Sequence, residues 1–336
     1  MELNKLCELN GAPGDEGAVR NAILAAASKV CDDVRIDRAG NVIAFKKGVK
    51  KSGRKHIILN AHMDEVAFIA VGATEDGMIR IQCVGGIDPR VCVSKHVTVG
   101  EEKVKGVIGA MAIHLQSPAD RQRVLDFDSL YVDIGAKSKD EALGVAPEGT
   151  YIYFDSKYEK FGDGCVVSKA LDDRVGCYVM LKLLAETTQN DITCAFVVKE
   201  EIGCRGALAA AFNAKADAVL VLEGTTAGDM GNVPEARQVC RLGKGVAVSF
   251  MDNGSIVTRK LYKSVIDIAE KNHCHYQIKE AATGGNDASA YQAAADAKAT
   301  CVLSVPCRYI HGPSSVVKLS DVEDQLTLAR HVVNSL

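Results

Sequence analysis

Two acids, Glu200 and Glu201, stand side by side where an apolar run of strand length (193–198) stops. Gly203-Cys204-Arg205-Gly206 and an alanine-rich helical run (207–212) follow, so a buried strand, a tight turn and a helix are expected. Adjacent residues on an extended chain point in opposite directions, which suits the two carboxylates to different work. One can face a bound ion and the other a reacting water; the plain alternative is a solvated helix N-terminus, where acids sit well with the dipole. A second run, Ile57-Ile58-Leu59-Asn60-Ala61-His62-Met63-Asp64-Glu65, ends on a histidine with an acid two residues on. A ligating imidazole needs its other ring nitrogen fixed, and a nearby carboxylate does that; a satisfied core histidine is the alternative. A third run (216–222) ends on Glu223. Asp172 and Asp173 open a strong helical pattern (175–186) with Arg174 behind them. Helix capping accounts for one of these acids. The last apolar run (299–306) is followed by a loop that carries His311.

Ligands of open α/β sheets sit just past the carboxyl ends of the strands. His62 with Asp64, Glu200 with Glu201, Glu223 and His311 all end buried strands or follow them, and Asp172 starts a helix. Two imidazoles among several carboxylates suit a pair of divalent zinc, cobalt or manganese ions. They do not suit magnesium or calcium alone, which prefer oxygen ligands. Two ions held close together want a bridging carboxylate, one histidine each, one further carboxylate each, and a free carboxylate to deprotonate a shared water. The turn Thr283-Gly284-Gly285-Asn286-Asp287 opens a helical run, and its free N–H groups offer a seat for a substrate carbonyl or carboxylate. His273 and His275 read as a strand entrance.

The elements that position these groups alternate in α/β fashion at both ends of the chain. Residues 1–30 read as helical, 34–45 as a hairpin, 258–271 and 319–333 as helices. Between about 69 and 156 the texture changes to short alternating runs with frequent glycines, such as Ile79-Arg80-Ile81-Gln82-Cys83-Val84. That spacing predicts a small β-barrel or sandwich inserted into the α/β unit. His96 and His114 fall there with no carboxylate at ligand spacing. The 336 residues suffice for one large core and a smaller one. A net charge of -3 leaves no basic stripe for nucleic acid. No apolar run approaches the ~20 residues of a membrane span, and Met1-Glu2-Leu3-Asn4-Lys5 lacks the character of a secretory signal. A cytoplasmic location is expected. The twelve scattered cysteines include no Cys-x-x-Cys pair, so reduced thiols are expected.

Taken together, Ala61-His62-Met63-Asp64-Glu65-Val66, Ala170-Leu171-Asp172-Asp173-Arg174, Lys199-Glu200-Glu201-Ile202-Gly203, Gly284-Gly285-Asn286-Asp287 and Arg308-Tyr309-Ile310-His311-Gly312-Pro313 carry a resemblance over essentially the whole chain. The sequence resembles the M42 family of metallo-aminopeptidases, sometimes labelled glutamyl aminopeptidases or, misleadingly, endoglucanase M. The resemblance implies an α/β fold: a mixed-sheet, zinc-peptidase-like catalytic domain with helices on both faces (1–68 and 157–336) and an inserted β-barrel used for dimerisation (69–156). It implies a cytoplasmic enzyme that removes N-terminal residues from short peptides with two divalent metal ions, zinc or cobalt foremost and manganese as an alternative. Asp172 would bridge both ions, His62 and Glu223 would complete one site, and Glu201 and His311 the other. Glu200 would be the general base on a metal-bridging water, and Asp64 would orient His62. Gly284, Gly285 and Asp287 are candidates for substrate binding. Similar proteins form dimers that assemble into dodecamers. The sequence departs from the family pattern at Glu223, usually aspartate, and at Asn286, Gly312 and Ser315. For an acidic N-terminal preference, Lys244, Arg205 and Arg308 are the candidate cations. Rival readings are a related metal-dependent amidohydrolase or carboxypeptidase, a glycoside hydrolase, and a non-catalytic binding protein that kept the fold.

Overall fold

The computed structural model describes the whole chain except positions 213, 281 and 295. Helices α1 (Leu3–Cys7) and α2 (Gly17–Ala27) lead into a hairpin of β1 (Asp33–Ile36) and β2 (Val42–Lys46), then β3 (His56–His62). The chain next makes β4 (Ala67–Ala73), β5 (Ile79–Val84), β6 (His96–Val99), β7 (Val104–Ala110), β8 (Leu130–Asp133), α3 (Lys139–Val145) and β9 (Tyr151–Phe154). It returns through β10 (Glu159–Phe161) and β11 (Cys165–Ser168) to α4 (Leu171–Ala185), β12 (Asp191–Val197), α5 (Arg205–Phe212) and β13 (Ala218–Thr226). The rest is β14 (Val246–Ser249), α6 (Arg259–Lys271), β15 (Tyr276–Ile278), α7 (Ala288–Ala293), β16 (Thr300–Cys307), β17 (Ser315–Lys318) and α8 (Leu319–Ser335).

Eight strands form one sheet in the order β1-β2-β12-β3-β13-β16-β14-β15. The central four, β12, β3, β13 and β16, are mutually parallel, and β2 and β14 flank them antiparallel. Their near-continuous apolar runs follow from burial on both faces. Helix α4 lies on β3 and β13, with α1, α2 and α8 against it; α5 and α7 pack together, against β12 and β16. The ladder between β3 and its neighbours ends unevenly. β12 stays paired to β3 as far as Val197 opposite His62, whereas β13 leaves β3 at Val221 opposite Asn60. β13 continues beside β16 up to Thr226 opposite Cys307. Glu223 therefore lies inside a strand and not at its end, because β16 goes on supplying hydrogen-bond partners where β3 stops. The parting of β3 from β13 opens a crevice at the carboxyl ends of the parallel strands.

Strands β4 to β9 close into a barrel, order β4-β5-β8-β7-β6-β9. It has its own core, including Phe68, Ile79, Ile81, Ile108, Val132 and Ile152. Alternation fixes which face is inside: along β5, Ile79 and Ile81 are buried and Arg80 and Gln82 are exposed. A three-stranded sheet, β10-β11-β17, ties the return from the barrel to the loop after β16. Its strands are three or four residues long and come from distant segments, so no local pattern announces it. None of the twelve cysteines is paired. Among the described residues no helix is long and apolar enough to cross a membrane.

Candidate metal centre

Three strand ends, the interior of a fourth strand and one helix start deliver the site. His62 ends β3, Glu200 and Glu201 follow β12, Glu223 lies on β13, His311 follows β16, and Asp172 begins α4. The two imidazoles approach opposite oxygens of one carboxylate: His62 Nε2 is 3.5 Å from Asp172 Oδ1 and His311 Nε2 is 3.5 Å from Asp172 Oδ2. Glu223 Oε1 is 3.2 Å from His62 Nε2, and Glu201 Oε1 is 3.4 Å from His311 Nε2. Glu200 Oε2 stands slightly back, 4.0 Å from His62 Nε2.

Each imidazole is fixed from behind. His62 Nδ1 lies 3.0 Å from the backbone carbonyl of Asp64, and His311 Nδ1 lies 2.8 Å from that of Gly86. An Nδ1–H donated to a carbonyl leaves Nε2 as a lone-pair donor toward the centre. Gly86 belongs to the segment that follows β5, so the barrel helps to aim a ring of the catalytic unit; the sequence reading had not included it. The Asp64 side chain holds the neighbouring turn as well as standing behind His62. Its oxygens accept from Glu200 N–H and Glu201 N–H, both at 3.0 Å, while Oδ1 lies 3.6 Å from His62 Nδ1. The backbone of Asp64 orients His62, and its carboxylate ties down the Glu200–Glu201 turn.

Asp172 is held by Gly224 N–H, 3.2 Å from Oδ1. A Cβ on Gly224 would meet that oxygen at 2.8 Å, which explains glycine there. Asp173 turns inward as the helix cap: it accepts from Gly176 N–H at 3.0 Å and from His62 N–H at 3.2 Å. Beneath the site Glu65 Oε1 is 2.5 Å from Lys169 Nζ and 3.5 Å from the fully buried Arg174 Nη2. Arg174 reaches on to the carbonyls of Leu6 and Leu9. This network locks α1 to the start of α4; it spans too much sequence for spacing to reveal. Backbone strain gathers here as well. Ala170, Lys199, Cys204, Tyr309 and His311 hold left-handed conformations with φ between 55° and 59°, each costing roughly 1–3 kcal/mol.

The electrostatics are those of a site that seeks cations. Burial pushes the Glu200 carboxyl up to about 8 and that of Glu201 up to about 7. Burial disfavours a charge on His311, yet the Asp172 hydrogen bond and the Glu201 charge outweigh it and raise the ring to about 9. Asp172 is driven below the usual carboxylate range despite its burial, because both imidazoles face it. His62 Nε2 and Glu223 Oε2 are buried without a hydrogen-bond partner. Orphaned buried polar atoms are costly, and a divalent ion beside each would satisfy them. Nitrogen and oxygen donors in this ratio suit borderline metals such as zinc. The residues present therefore fit metal ions.

The substrate side is distributed differently from the centre. Asp287 is fully buried, with Oδ2 accepting from Asn60 Nδ2 at 2.8 Å. Gly284 and Gly285 are exposed. Asn286 accepts from Ala288 N–H at 2.9 Å, occupying an amide at the start of α7. Arg308 is committed to a two-pronged pair with Asp229, both contacts at 2.7 Å, while Arg205 and Lys244 are exposed. Gly312 and Ser315 line a crevice between barrel and sheet beside Asp172, Glu201, His311 and Phe154. His96 and His114 are exposed and take no part, and His275 pairs with Asp324 at 2.9 Å.

A sheet that parts above a cluster of imidazoles and carboxylates, with a barrel inserted beside it, makes a crevice lined with donors for divalent cations. The family model for M42 glutamyl aminopeptidase matches residues 40–328. A putative aminopeptidase, FrvX of Escherichia coli, is 32% identical over 99% of this chain and 94% of that protein. The structure of aminopeptidase APDkam598 from Desulfurococcus kamchatkensis superposes with a TM-score of 0.93 at 32% identity, covering 99% of this chain and 94% of that one. The Pyrococcus horikoshii TET1 peptidase, described as assembling into a tetrahedron or a large octahedral shell, gives 0.86 at 32% identity over 99% and 98%. The chain belongs to the M42 peptidase family. It is a peptide hydrolase, and family membership carries divalent metal ions with it.

Proposed function

We propose that the protein is a dinuclear metal-dependent aminopeptidase that removes N-terminal residues from short peptides. The approach of His62 and His311 to opposite oxygens of Asp172, each at 3.5 Å, carries this reading. Asp172 would be shared, with His62 and Glu223 completing one site and His311 and Glu201 the other. Zinc or cobalt suits the donors best, and manganese is the alternative. The ions, when bound, supply Lewis acidity toward the scissile carbonyl and the attacking water.

Glu200 performs the proton transfers. It is held out of the ligand set by the turn that Asp64 clamps; burial raises its carboxyl, and cations bound beside it would draw it back toward the range of a base at neutral pH. It takes a proton from the attacking water and delivers it to the leaving amine nitrogen. Glu200→Gln keeps shape and loses basicity. It is expected to lower kcat by about 10²–10⁴ while retaining both ions; wild-type turnover by the variant would refute the assignment. A peptide and its N-acetylated form, offered side by side, separate an aminopeptidase from an amidohydrolase or carboxypeptidase, since only the free amine should be processed. Chelator inhibition with no reducing sugar released excludes a glycosidase.

Assembly is part of the proposal. The barrel exposes Met111, Ile113, Leu115 and Val124 on the segment between β7 and β8, and clustered apolar exposure marks a contact surface. The barrel would pair two copies, and dimers would build a dodecamer of the kind its relatives suggest. Sedimentation should give a large homo-oligomer that Ile113→Asp with Leu115→Asp reduces in size. A wild-type monomer would end this part of the reading.

A further inference from the structure

Glu200 faces two ways. Oε2 lies 4.0 Å from His62 Nε2, and Oε1 accepts from the Cys204 thiol at 3.5 Å. Beyond the thiol, Asp287 is wholly buried, and its Oδ1 has no hydrogen-bond partner among the described residues. One ligand atom from each of Glu200, Cys204 and Asp287 lies within 4.8 Å of the others. An unsatisfied buried carboxylate oxygen and a second carboxylate so near it both call for positive charge. A thiol between two carboxylates selects a particular kind: sulfur favours zinc and softer ions over magnesium or calcium.

We propose that Glu200, Cys204 and Asp287 form an inhibitory site for an additional zinc or cadmium ion, distinct from the two-ion centre, which silences the enzyme by occupying the base. The idea rests on Glu200 being that base. Binding forms a metal–sulfur bond and expels the Sγ–H proton to solvent, together with any proton the two carboxyl groups carry. With a dication on Oε1 the Glu200 carboxylate loses basicity at Oε2, the oxygen that faces the two-ion centre, and takes up a proton from water poorly. The ion would be supplied by excess free zinc, and the thiolate makes the site tighter for cadmium.

The experiment titrates cadmium into protein preloaded with its two zinc ions and follows two signals. One is the ultraviolet thiolate-to-cadmium charge-transfer band; the two-ion centre holds no cysteine and cannot produce it. The other is the rate on an aminoacyl chromogenic substrate, normalised to each variant's own uninhibited rate. Wild type should gain the band as it loses rate. Cys204→Ser should lack the band that wild type shows, and both Cys204→Ser and Asp287→Asn should need at least about tenfold more cadmium for half-inhibition. An unchanged band in Cys204→Ser, or identical inhibition in all three proteins, overturns the site. A Cys204-dependent band in a protein with no peptidase activity refutes the aminopeptidase reading instead, so the two failures are distinguishable.

Discussion

Asp64→Asn tests how the site is held. The carboxylate accepts two buried backbone N–H groups, from Glu200 and Glu201, each at 3.0 Å. A hydrogen bond to a charged acceptor contributes about 1.5–3 kcal/mol. Asparagine retains one carbonyl oxygen and turns an NH₂ toward the other amide, so one bond is lost and one buried donor stranded. Relief of repulsion with the nearby carboxylates offsets part of this, because the removed charge sits among Glu200 and Glu201. The net cost should be about 2 kcal/mol in unfolding free energy, read as a lowered guanidinium midpoint with unchanged slope. The loosened turn should displace Glu200 and lower kcat on an aminoacyl substrate by at least about tenfold. The ion assigned to His62 and Glu223 should survive dialysis, since the carbonyl that orients His62 is untouched by the substitution, whereas the ion assigned to Glu201 and His311 should be held less tightly, because the same turn carries Glu201. Two results would refute this reasoning: unchanged stability and kcat, or loss of both ions with kcat restored by excess metal. The second would mean that the carboxylate itself orients His62.

Two further outcomes follow from contacts at the rim. Gly224→Ala places a methyl 2.8 Å from Asp172 Oδ1; overpacking of this kind costs about 1–3 kcal/mol, and ion retention on dialysis should fall with kcat, whereas Gly228→Ala, a left-handed glycine of the same segment, should cost stability alone. Burial opposes ionisation of Asp229, but Arg308 and Leu242 N–H outweigh it and hold the carboxyl below its usual range. Its stabilisation is therefore full above the unfolded value near 4 and is lost as pH falls through the lowered folded-state value. Arg308→Met should flatten that acid limb in urea titrations between about pH 2 and 5; an unaltered limb would show that the pair carries no linkage.

The polar ends of apolar runs were readable because several of them occur together, which helix capping or a satisfied core histidine explains one at a time but not as a set. His62, Glu200 and Glu201 stood out in this way, His311 by its place in the loop after the last run, and Asp172 by doubling an acid where a cap needs only one. Glu223 was legible as a residue, though its strand runs on to Thr226 because the partner strand does. What stayed hidden is tertiary. Gly86 reaches His311 from the barrel, and Glu65 meets Lys169 and Arg174 across more than one hundred positions. Asn60 pins Asp287 over a still longer interval. Such pairings leave no periodicity, and a backbone carbonyl leaves no trace in residue type at all. The barrel was visible through its alternation, whereas β10, β11 and β17 are too short and too scattered to show one.

The placement of His311 beyond the last central strand has a consequence for biosynthesis. Asp172 gains its second imidazole only after β16 has docked and the loop behind it has emerged. Until β16 docks, Asp172 has one imidazole to face where the finished fold gives it two.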